Sequence, residues 1–143
     1  MPTPLWDEET GAQIAEVLAG MVEPVRLLLF VEDDCEACET QQQLLEETAA
    51  LSDRLTLEVL TPGDDAAVAE FDVARFPATV PLGDKDRGIR FYGLTGGQEY
   101  ASLLQTLVML STGRSGLEPE LEALVAALDS AVQLQVFITL TCP

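Results

Sequence analysis

Two cysteines separated by two residues form the part of this chain best suited to chemistry. Cys35 and Cys38 enclose Glu36 and Ala37, and they follow an acidic run at residues 32–34. This spacing puts both sulfurs on one helical turn, where they can close a small disulfide ring. The first sulfur would then lie at a helix N-terminus, where unpaired N–H groups and the positive end of the helix dipole stabilise a thiolate. A thiolate is the attacking species in thiol–disulfide exchange, so this segment predicts a redox site.

The two cysteines have different expected roles. Cys35 is the expected nucleophile, which attacks a substrate disulfide, and Cys38 is the expected resolving thiol, which releases the mixed disulfide. Asp33, Asp34 and Glu36 oppose the helix dipole, because nearby negative charge disfavours a thiolate. An inert buried pair and a zinc site are the alternatives. Zinc usually takes four ligands, and with three Cys and no His a closed site would need a carboxylate, so no metal is expected.

The elements around the cysteines come in the order that a dithiol site needs. An apolar run at residues 25–31 predicts a buried strand, and a helical pattern at residues 36–51 follows. Apolar residues at helical spacing predict a first helix at residues 7–21. The other predicted elements are strands at 55–60, 78–82 and 89–92, a short helix that ends at Phe71, and a helix at 98–112. The last two strands are expected to form a hairpin, in which Pro81 indicates an edge or a bulge.

The C-terminal part of the chain repeats an earlier part. Residues 112–116 predict a linker, residues 117–128 a helix, and the alternating apolar residues at 132–138 a strand. Three pairs of residues recur at one constant interval: Val25 and Val132, Phe30 and Phe137, and Cys35 and Cys142. The shared order of helix, strand and cysteine indicates an internal repeat, whose second copy is present as far as its first cysteine.

The chain is strongly acidic, which excludes several classes of partner. It has 25 Asp and Glu against 7 Lys and Arg, which gives a net charge of −18. Without a basic patch to displace phosphate counterions, binding to nucleic acid or to an anionic membrane is not expected. No apolar run approaches the roughly 18 residues of a membrane span, and the acidic N-terminus lacks the basic start of a signal peptide. We therefore expect a cytoplasmic protein, where a Cys-x-x-Cys is more often catalytic or metal-binding than structural.

Four segments, taken in order, resemble one known family: residues 28–38, 76–79, 88–93 and 136–143. They are similar to the glutaredoxin-like protein disulfide oxidoreductases of archaea and some bacteria, which carry two thioredoxin units in tandem. The N-terminal domain of the flavoprotein subunit of alkyl hydroperoxide reductase is a related match. The resemblance implies an α/β, thioredoxin-like fold with a mixed central sheet flanked by helices and an extra C-terminal helix and strand. It implies a thioredoxin-like domain at residues 1–112 and, at residues 113–143, a linker, helix and strand resembling the start of a second unit.

The resemblance also implies a substrate-binding site. Pro77 resembles the family's cis-proline opposite the dithiol, and the backbone of Phe76 would pair with an extended substrate segment. The alternative is an ordinary trans-proline at the start of a strand. Gly96 and Gly97 look like the glutathione-binding turn of glutaredoxins, although a flexible turn before a helix is the favoured alternative. The remaining expected substrate-binding residues lie between the cysteines: Glu36 and Ala37.

These observations lead to one main function and two alternatives. The main prediction is a thiol–disulfide oxidoreductase, similar to thioredoxins and glutaredoxins, that exchanges disulfides with protein substrates. No cofactor is expected, because no Gly-x-Gly-x-x-Gly follows a strand, so a partner reductase would supply the electrons. One alternative is a redox-weak assembly module that forms a homodimer through residues 131–139, because an unfinished sheet leaves an open edge. The other alternative, from the resemblance, is an electron carrier to a peroxiredoxin.

Overall fold

The computed structural model describes residues 3–61 and 63–139 and divides the chain into two compact units. The first unit ends at Gly113 and contains the Cys-x-x-Cys segment, and the second unit begins at Arg114. Within the described ranges, no helix is long and apolar enough to cross a membrane.

A mixed four-stranded sheet forms the centre of the first unit. Its strands are β1 (Val25–Phe30), β2 (Leu55–Leu60), β3 (Ala78–Leu82) and β4 (Phe91–Tyr92). They lie in the order β2-β1-β3-β4, with β1 parallel to β2 and antiparallel to β3, and with β3 antiparallel to β4. This arrangement confirms the predicted α/β class, the mixed sheet and the hairpin, although β4 is shorter than the predicted strand at 89–92.

The central strand, β1, is apolar on both faces. Val25 and the four residues from Leu27 to Phe30 are at most 2% exposed. Leu27 and Leu29 enter one core cluster, whereas Leu28 and Phe30 enter another, as the alternation of side chains along a strand requires. Both faces of the sheet are therefore packed, which explains the continuous apolar run in the sequence.

Pro81 lies within β3, opposite Leu27 of β1. On its other side, β3 pairs with β4 at Ala78 and Thr79, so Pro81 lies beyond the end of β4. A proline has no N–H to donate, and it is tolerated where the neighbouring strand has already ended. The sequence predicted an edge or a bulge, and the structure has a local edge in a strand that is otherwise internal.

The sheet is flanked by helices α1 (Glu8–Leu18), α2 (Glu36–Ala49), α3 (Asp65–Glu70) and α4 (Gln98–Thr112). Residues of α1, α2 and α4 pack in the cluster that contains Leu27, whereas Val68 of α3 packs against the cluster that contains Leu28. Aspartate side chains cap α1, through Asp7, and α3, through Asp64. The Asp7 carboxylate accepts the N–H of Thr10 at 2.8 Å, and this hydrogen bond lowers the pKa of Asp7.

The second unit contains the helix α5 (Pro119–Ala126), which lies inside the predicted helix at 117–128. Its side chains Leu121, Leu124 and Val125 are each more than half exposed. An apolar helix face that is open to solvent gains little stability from burial.

The strand predicted at residues 132–138 does not form, and residues 131–139 have no regular secondary structure. Leu134, Val136 and Phe137 are each at least 85% exposed. Alternation of apolar residues specifies which side of a strand can be buried, but the strand itself needs a neighbour to satisfy its backbone N–H and C=O groups. The predicted counterpart of Cys35, Cys142, lies outside the described residues.

Candidate active site

Cys35 and Cys38 form a disulfide, with their sulfurs 2.08 Å apart and their Cα atoms 5.2 Å apart. Cys35 is the N-cap residue of α2 and is half-buried, whereas Cys38 lies in the first turn and is 4% exposed. Glu36 and Ala37, which lie between them, are exposed. The outer sulfur is therefore the one that another molecule can approach, and the inner sulfur is protected by the protein.

The backbone of α2 places a hydrogen-bond donor on the outer sulfur. The N–H of Cys38 donates to Sγ of Cys35 at 3.1 Å. The same N–H also donates to the carbonyl oxygen of Cys35 at 3.0 Å, and the first N–H groups of a helix carry the positive end of its dipole. When the disulfide is open, the same N–H would stabilise negative charge on the sulfur of Cys35, which is the chemistry predicted from the spacing.

The loop that joins β1 to α2 is acidic and open to solvent. Glu32, Asp33 and Asp34 are exposed, and Asp34 has a φ of 55°. This left-handed conformation disfavours most side chains, but Asp tolerates it because its short polar side chain can hydrogen-bond locally. The carboxylates place negative charge beside Cys35, which opposes the effect of the helix N-terminus.

The Phe76–Pro77 peptide bond is cis, and it lies at the same end of the sheet as the cysteine loop. Phe30, the last residue of β1, pairs with Ala78, the first residue of β3. Because β1 leads into the cysteine loop and Pro77 directly precedes β3, this register brings the two segments to the same end of the sheet. Pro77 is buried, and its carbonyl oxygen accepts the N–H of Gly93 at 2.8 Å.

Phe76 is half-buried and lines a cavity of about 200 Å³. The same cavity is lined by Phe30, Val31 and Glu32, which lead into the cysteine loop, and by acidic residues that begin α3. Phe76 therefore shares a cavity with residues that lead into the cysteine loop, and neither Cys35 nor Cys38 is among the described residues that line it.

Gly96 and Gly97 lie at the start of α4. Gly97 has φ 67° and ψ −133°, a conformation that side chains disfavour, which explains the glycine at this turn. Both glycines line a second, mainly apolar cavity of about 490 Å³, to which α2 contributes Thr40 and Leu44. Among the described residues that line this cavity there is neither Cys35 nor Cys38, so the structure does not join the glycine turn to the disulfide in one pocket.

A buried hydrogen-bond cluster beside the disulfide was not predicted from the sequence. Gln41, fully buried on α2, donates from Nε2 to Oγ1 of Thr79 at 2.9 Å and to Oγ1 of Thr95 at 2.8 Å. Its Oε1 accepts the backbone N–H of Thr95 at 2.8 Å. The available signal was a glutamine at an inner-face position of α2, three residues after Cys38 and three before Leu44.

Within residues 3–61 and 63–139, no group of three or more Cys, Asp or Glu side chains has a geometry that could hold a metal ion. The acidic residues of the cysteine loop are exposed, so they act on the site as surface charges.

The strand order and the place of the disulfide, after the central strand and at the start of α2, define a thioredoxin-like protein. The structure superposes on the F component of alkyl hydroperoxide reductase from Enterococcus faecalis with a TM-score of 0.78 and 26% identity, over 86% of this chain and 61% of that chain. A protein disulfide oxidoreductase from Aeropyrum pernix gives a TM-score of 0.73 and 28% identity, over 85% of this chain and 55% of that chain.

The amino-acid sequence leads to the same group of proteins. The F component of alkyl hydroperoxide reductase from Pseudomonas aeruginosa is 25% identical over 136 residues, which are 95% of this chain and 24% of the relative. No protein-family model matches the chain. The chain spans about a quarter of the length of the curated relatives that it matches. It is a thioredoxin-like protein related to the N-terminal domain of the F component of alkyl hydroperoxide reductase.

Proposed function

We propose that this chain is a thiol–disulfide oxidoreductase that exchanges disulfides with protein substrates through Cys35 and Cys38. The observation that carries the proposal is the hydrogen bond from the Cys38 N–H to Sγ of Cys35, at 3.1 Å, in a disulfide whose outer cysteine is half-buried. A sulfur that is accessible and held at a helix N-terminus is activated as a thiolate and as a leaving group. The similarity to a protein disulfide oxidoreductase supports the same reaction class.

In the reducing direction, the reaction starts from the dithiol. The thiolate of Cys35 attacks one sulfur of the substrate disulfide, which forms a mixed disulfide and releases one substrate thiolate. The thiolate of Cys38 then attacks Sγ of Cys35, closes the internal disulfide and releases the second substrate thiolate. Two electrons pass from the protein to the substrate, and the released thiolates take up protons from solvent. The oxidising direction is the reverse of these steps.

The proposed substrate-binding residues lie in three places: directly before β3, between the two cysteines, and at the start of α4. We assign Phe76 and Pro77 to pairing with an extended substrate segment, because the β1–β3 register puts them at the same end of the sheet as the cysteine loop. Glu36 and Ala37 are exposed in the first turn of α2 and would contact the residues next to the substrate disulfide. For Gly96 and Gly97, the separate cavity favours a contact with a distant part of a bound partner.

Electrons are proposed to come from a partner reductase in the cytoplasm, because the reducing direction consumes the dithiol in each turnover and a cytoplasmic reductase can restore it. The similarity to the F component of alkyl hydroperoxide reductase favours a related role, in which the dithiol carries electrons to a peroxiredoxin. The two roles differ in the electron acceptor and use the same cysteines.

Disulfide reduction in a model protein substrate, with dithiothreitol as the electron source, tests the main proposal. Cys35→Ser is expected to abolish turnover, and Cys38→Ser is expected to accumulate a mixed disulfide that mass spectrometry detects. Cys142→Ser is the matched control and is expected to retain the wild-type rate. Full activity of the Cys35→Ser protein would refute the proposal.

A second candidate function is assembly, because residues 131–139 form an exposed apolar segment. We propose that this segment pairs with a second copy of the chain, since an unpaired strand-forming sequence favours association. Sedimentation would test it with Leu134→Asp combined with Val136→Asp, and with Gln133→Asp combined with Gln135→Asp as the control. Loss of a dimer in the first variant alone supports assembly, and a monomeric wild-type protein excludes it.

A further inference from the structure

We propose that Gln41 is a positioning residue. It holds two segments at a defined distance from α2, the dithiol helix: β3, which directly follows the proposed substrate-pairing residues, and the glycine turn at residues 96–97. The inference rests on the proposed function, because it assigns to Gln41 the geometry of the surface on which a protein disulfide binds. The Gln41 amide affects substrate binding through the backbone of β3 and of the glycine turn, and it does not contact the reacting sulfurs.

Gln41 is placed on the same face of α2 as the inner cysteine. It follows Cys38 by three residues, which is one turn of an α-helix, and both side chains are buried at 0% and 4% exposure. The Gln41 amide therefore lies one helical turn from the disulfide, on the buried face of α2.

The first connection runs from Gln41 to β3. Thr79 accepts from Nε2 of Gln41 at 2.9 Å and is itself fully buried. Thr79 is the second residue of β3 and follows Pro77 by two residues. The hydrogen bond thus fixes the start of β3, and with it the cis peptide of Phe76 and Pro77, against the dithiol helix.

The second connection runs from Gln41 to the turn before α4. Thr95 binds the amide twice, with its hydroxyl 2.8 Å from Nε2 and its backbone N–H 2.8 Å from Oε1. Thr95 is 1% exposed and directly precedes Gly96. Both N–H groups of the amide and its oxygen are therefore bound, and one side chain joins α2 to two segments far away in the sequence.

This arrangement predicts different effects on large and small substrates. A protein disulfide must pair with the backbone at Phe76 and reach Cys35 at the same time, so it depends on the separation of β3 from α2. A small disulfide needs only the exposed sulfur. Loss of the Gln41 amide should therefore raise KM for a protein disulfide and leave the reaction with a small disulfide nearly unchanged.

The test compares Gln41→Met, which keeps the length of the side chain but removes its hydrogen bonds, with Thr79→Val, which keeps the shape of its partner. Thr106→Val is the matched control, because the Thr106 hydroxyl is also buried but donates to the Ser102 carbonyl within α4, at 2.8 Å. We expect Gln41→Met to raise KM for a model protein disulfide about tenfold, with kcat and the rate with 5,5′-dithiobis(2-nitrobenzoic acid) within about twofold of wild type.

The double variant Gln41→Met with Thr79→Val gives a further readout. If the two residues act through their shared hydrogen bond, its KM should be about that of Gln41→Met alone. A purely structural role would lower the melting temperature of Gln41→Met and Thr106→Val alike without raising KM, and this result would overturn the proposal. If Gln41→Met does not fold, Thr79→Val carries the same test with a smaller expected increase in KM.

Amide hydrogen exchange separates failure of this inference from failure of the proposed function. A wild-type protein that is inactive on both disulfides would refute the oxidoreductase function. In that case, faster exchange at Thr95 and across β3 in Gln41→Met, with α2 unchanged, would still support the positioning role. Unchanged exchange at both segments would overturn the positioning role.

Discussion

Strand β1 and residues 132–137 are apolar at four corresponding positions and differ at a fifth, where Leu28 corresponds to Gln135, and they lie in opposite surroundings. Leu29 is fully buried, whereas Val136 at the corresponding position of the repeat is 85% exposed. Phe30 is 1% exposed, whereas Phe137 is 89% exposed. The first segment is the central strand of a sheet, and the second has no regular secondary structure.

The contrast shows that an apolar pattern favouring a strand forms one only where neighbouring strands pair with its backbone. Every residue of β1 pairs with a residue of β2, and the part from Arg26 to Phe30 also pairs with β3. Helices on both faces then cover its side chains. In the second unit, the side chains of the corresponding segment are exposed and its backbone is not in a ladder. Three experiments, in order of decreasing effect, test this contrast.

The same substitution in both copies should have very different costs. Phe30→Ala is expected to lower the free energy of unfolding by about 3–5 kcal/mol, because it leaves a cavity in the core. Phe137→Ala should change it by less than about 0.5 kcal/mol. Urea denaturation followed by the fluorescence of Trp6, the single tryptophan, reports on the first unit. If Phe30→Ala does not fold, Phe30→Leu gives a smaller loss, and equal costs at the two positions would contradict the contrast.

An anchor from a distant helix should stabilise the segment that enters β1. Oγ of Ser111 in α4 accepts the N–H groups of Val22 at 2.7 Å and Glu23 at 2.9 Å, and it donates to the Glu23 carbonyl at 2.6 Å. Ser111→Ala should therefore lower the free energy of unfolding by about 1–3 kcal/mol. Ser102→Ala, at an exposed position of the same helix, is the control for helix propensity. The same loss in both variants would count against the anchor.

An ion pair in the first unit should make its stability depend on pH. The Arg90 guanidinium donates to Asp86 at 2.7 and 2.9 Å, and these hydrogen bonds lower the pKa of Asp86 from 3.8 to about 2. Because the pKa in the folded protein is depressed, the stabilisation is present above about pH 4 and is lost as the pH falls towards 2.

Asp86→Asn should cost less than about 1 kcal/mol at pH 7, since the carboxylate is partly exposed, and should cost almost nothing near pH 2. Asp129→Asn in the second unit is the control, and urea denaturation at the two pH values is the measurement. A cost that is the same at both pH values would show that the substitution acts through something other than the charge of Asp86.

Much of the first unit's secondary structure was predictable, because its patterns are local. The predicted bounds of β2, β3 and α4 agree with the structure, and β1 differs by one residue. Gly63 lies in a turn and Gly88 in an irregular segment, and both have a positive φ between apolar segments of the chain. The strand at 132–138 was predicted by the same logic and does not form, since the logic contains no information about the neighbours of a strand.

The candidate site also has one part that the sequence predicted and one part that it did not. The spacing of Cys35 and Cys38 and the helical pattern after them predicted a sulfur at a helix N-terminus, which depends on neighbours in the sequence. The role of Gln41 depends on Thr79 and Thr95, which lie 38 and 54 residues away. The position of Gln41 on the inner face of α2 indicates burial, but it carries no sign of where its hydrogen-bond partners are, so its role could not be predicted from the local sequence.

By itself, the sequence determined the order of strand, loop, dithiol and helix, because backbone geometry and covalent spacing act over a few residues. It also determined the acidic surface around Cys35 through Glu32, Asp33 and Asp34. Only the tertiary structure decided which apolar segment is buried and which is exposed. It also decided that a buried amide joins the dithiol helix to β3, since burial and hydrogen bonding between distant residues arise when the chain folds.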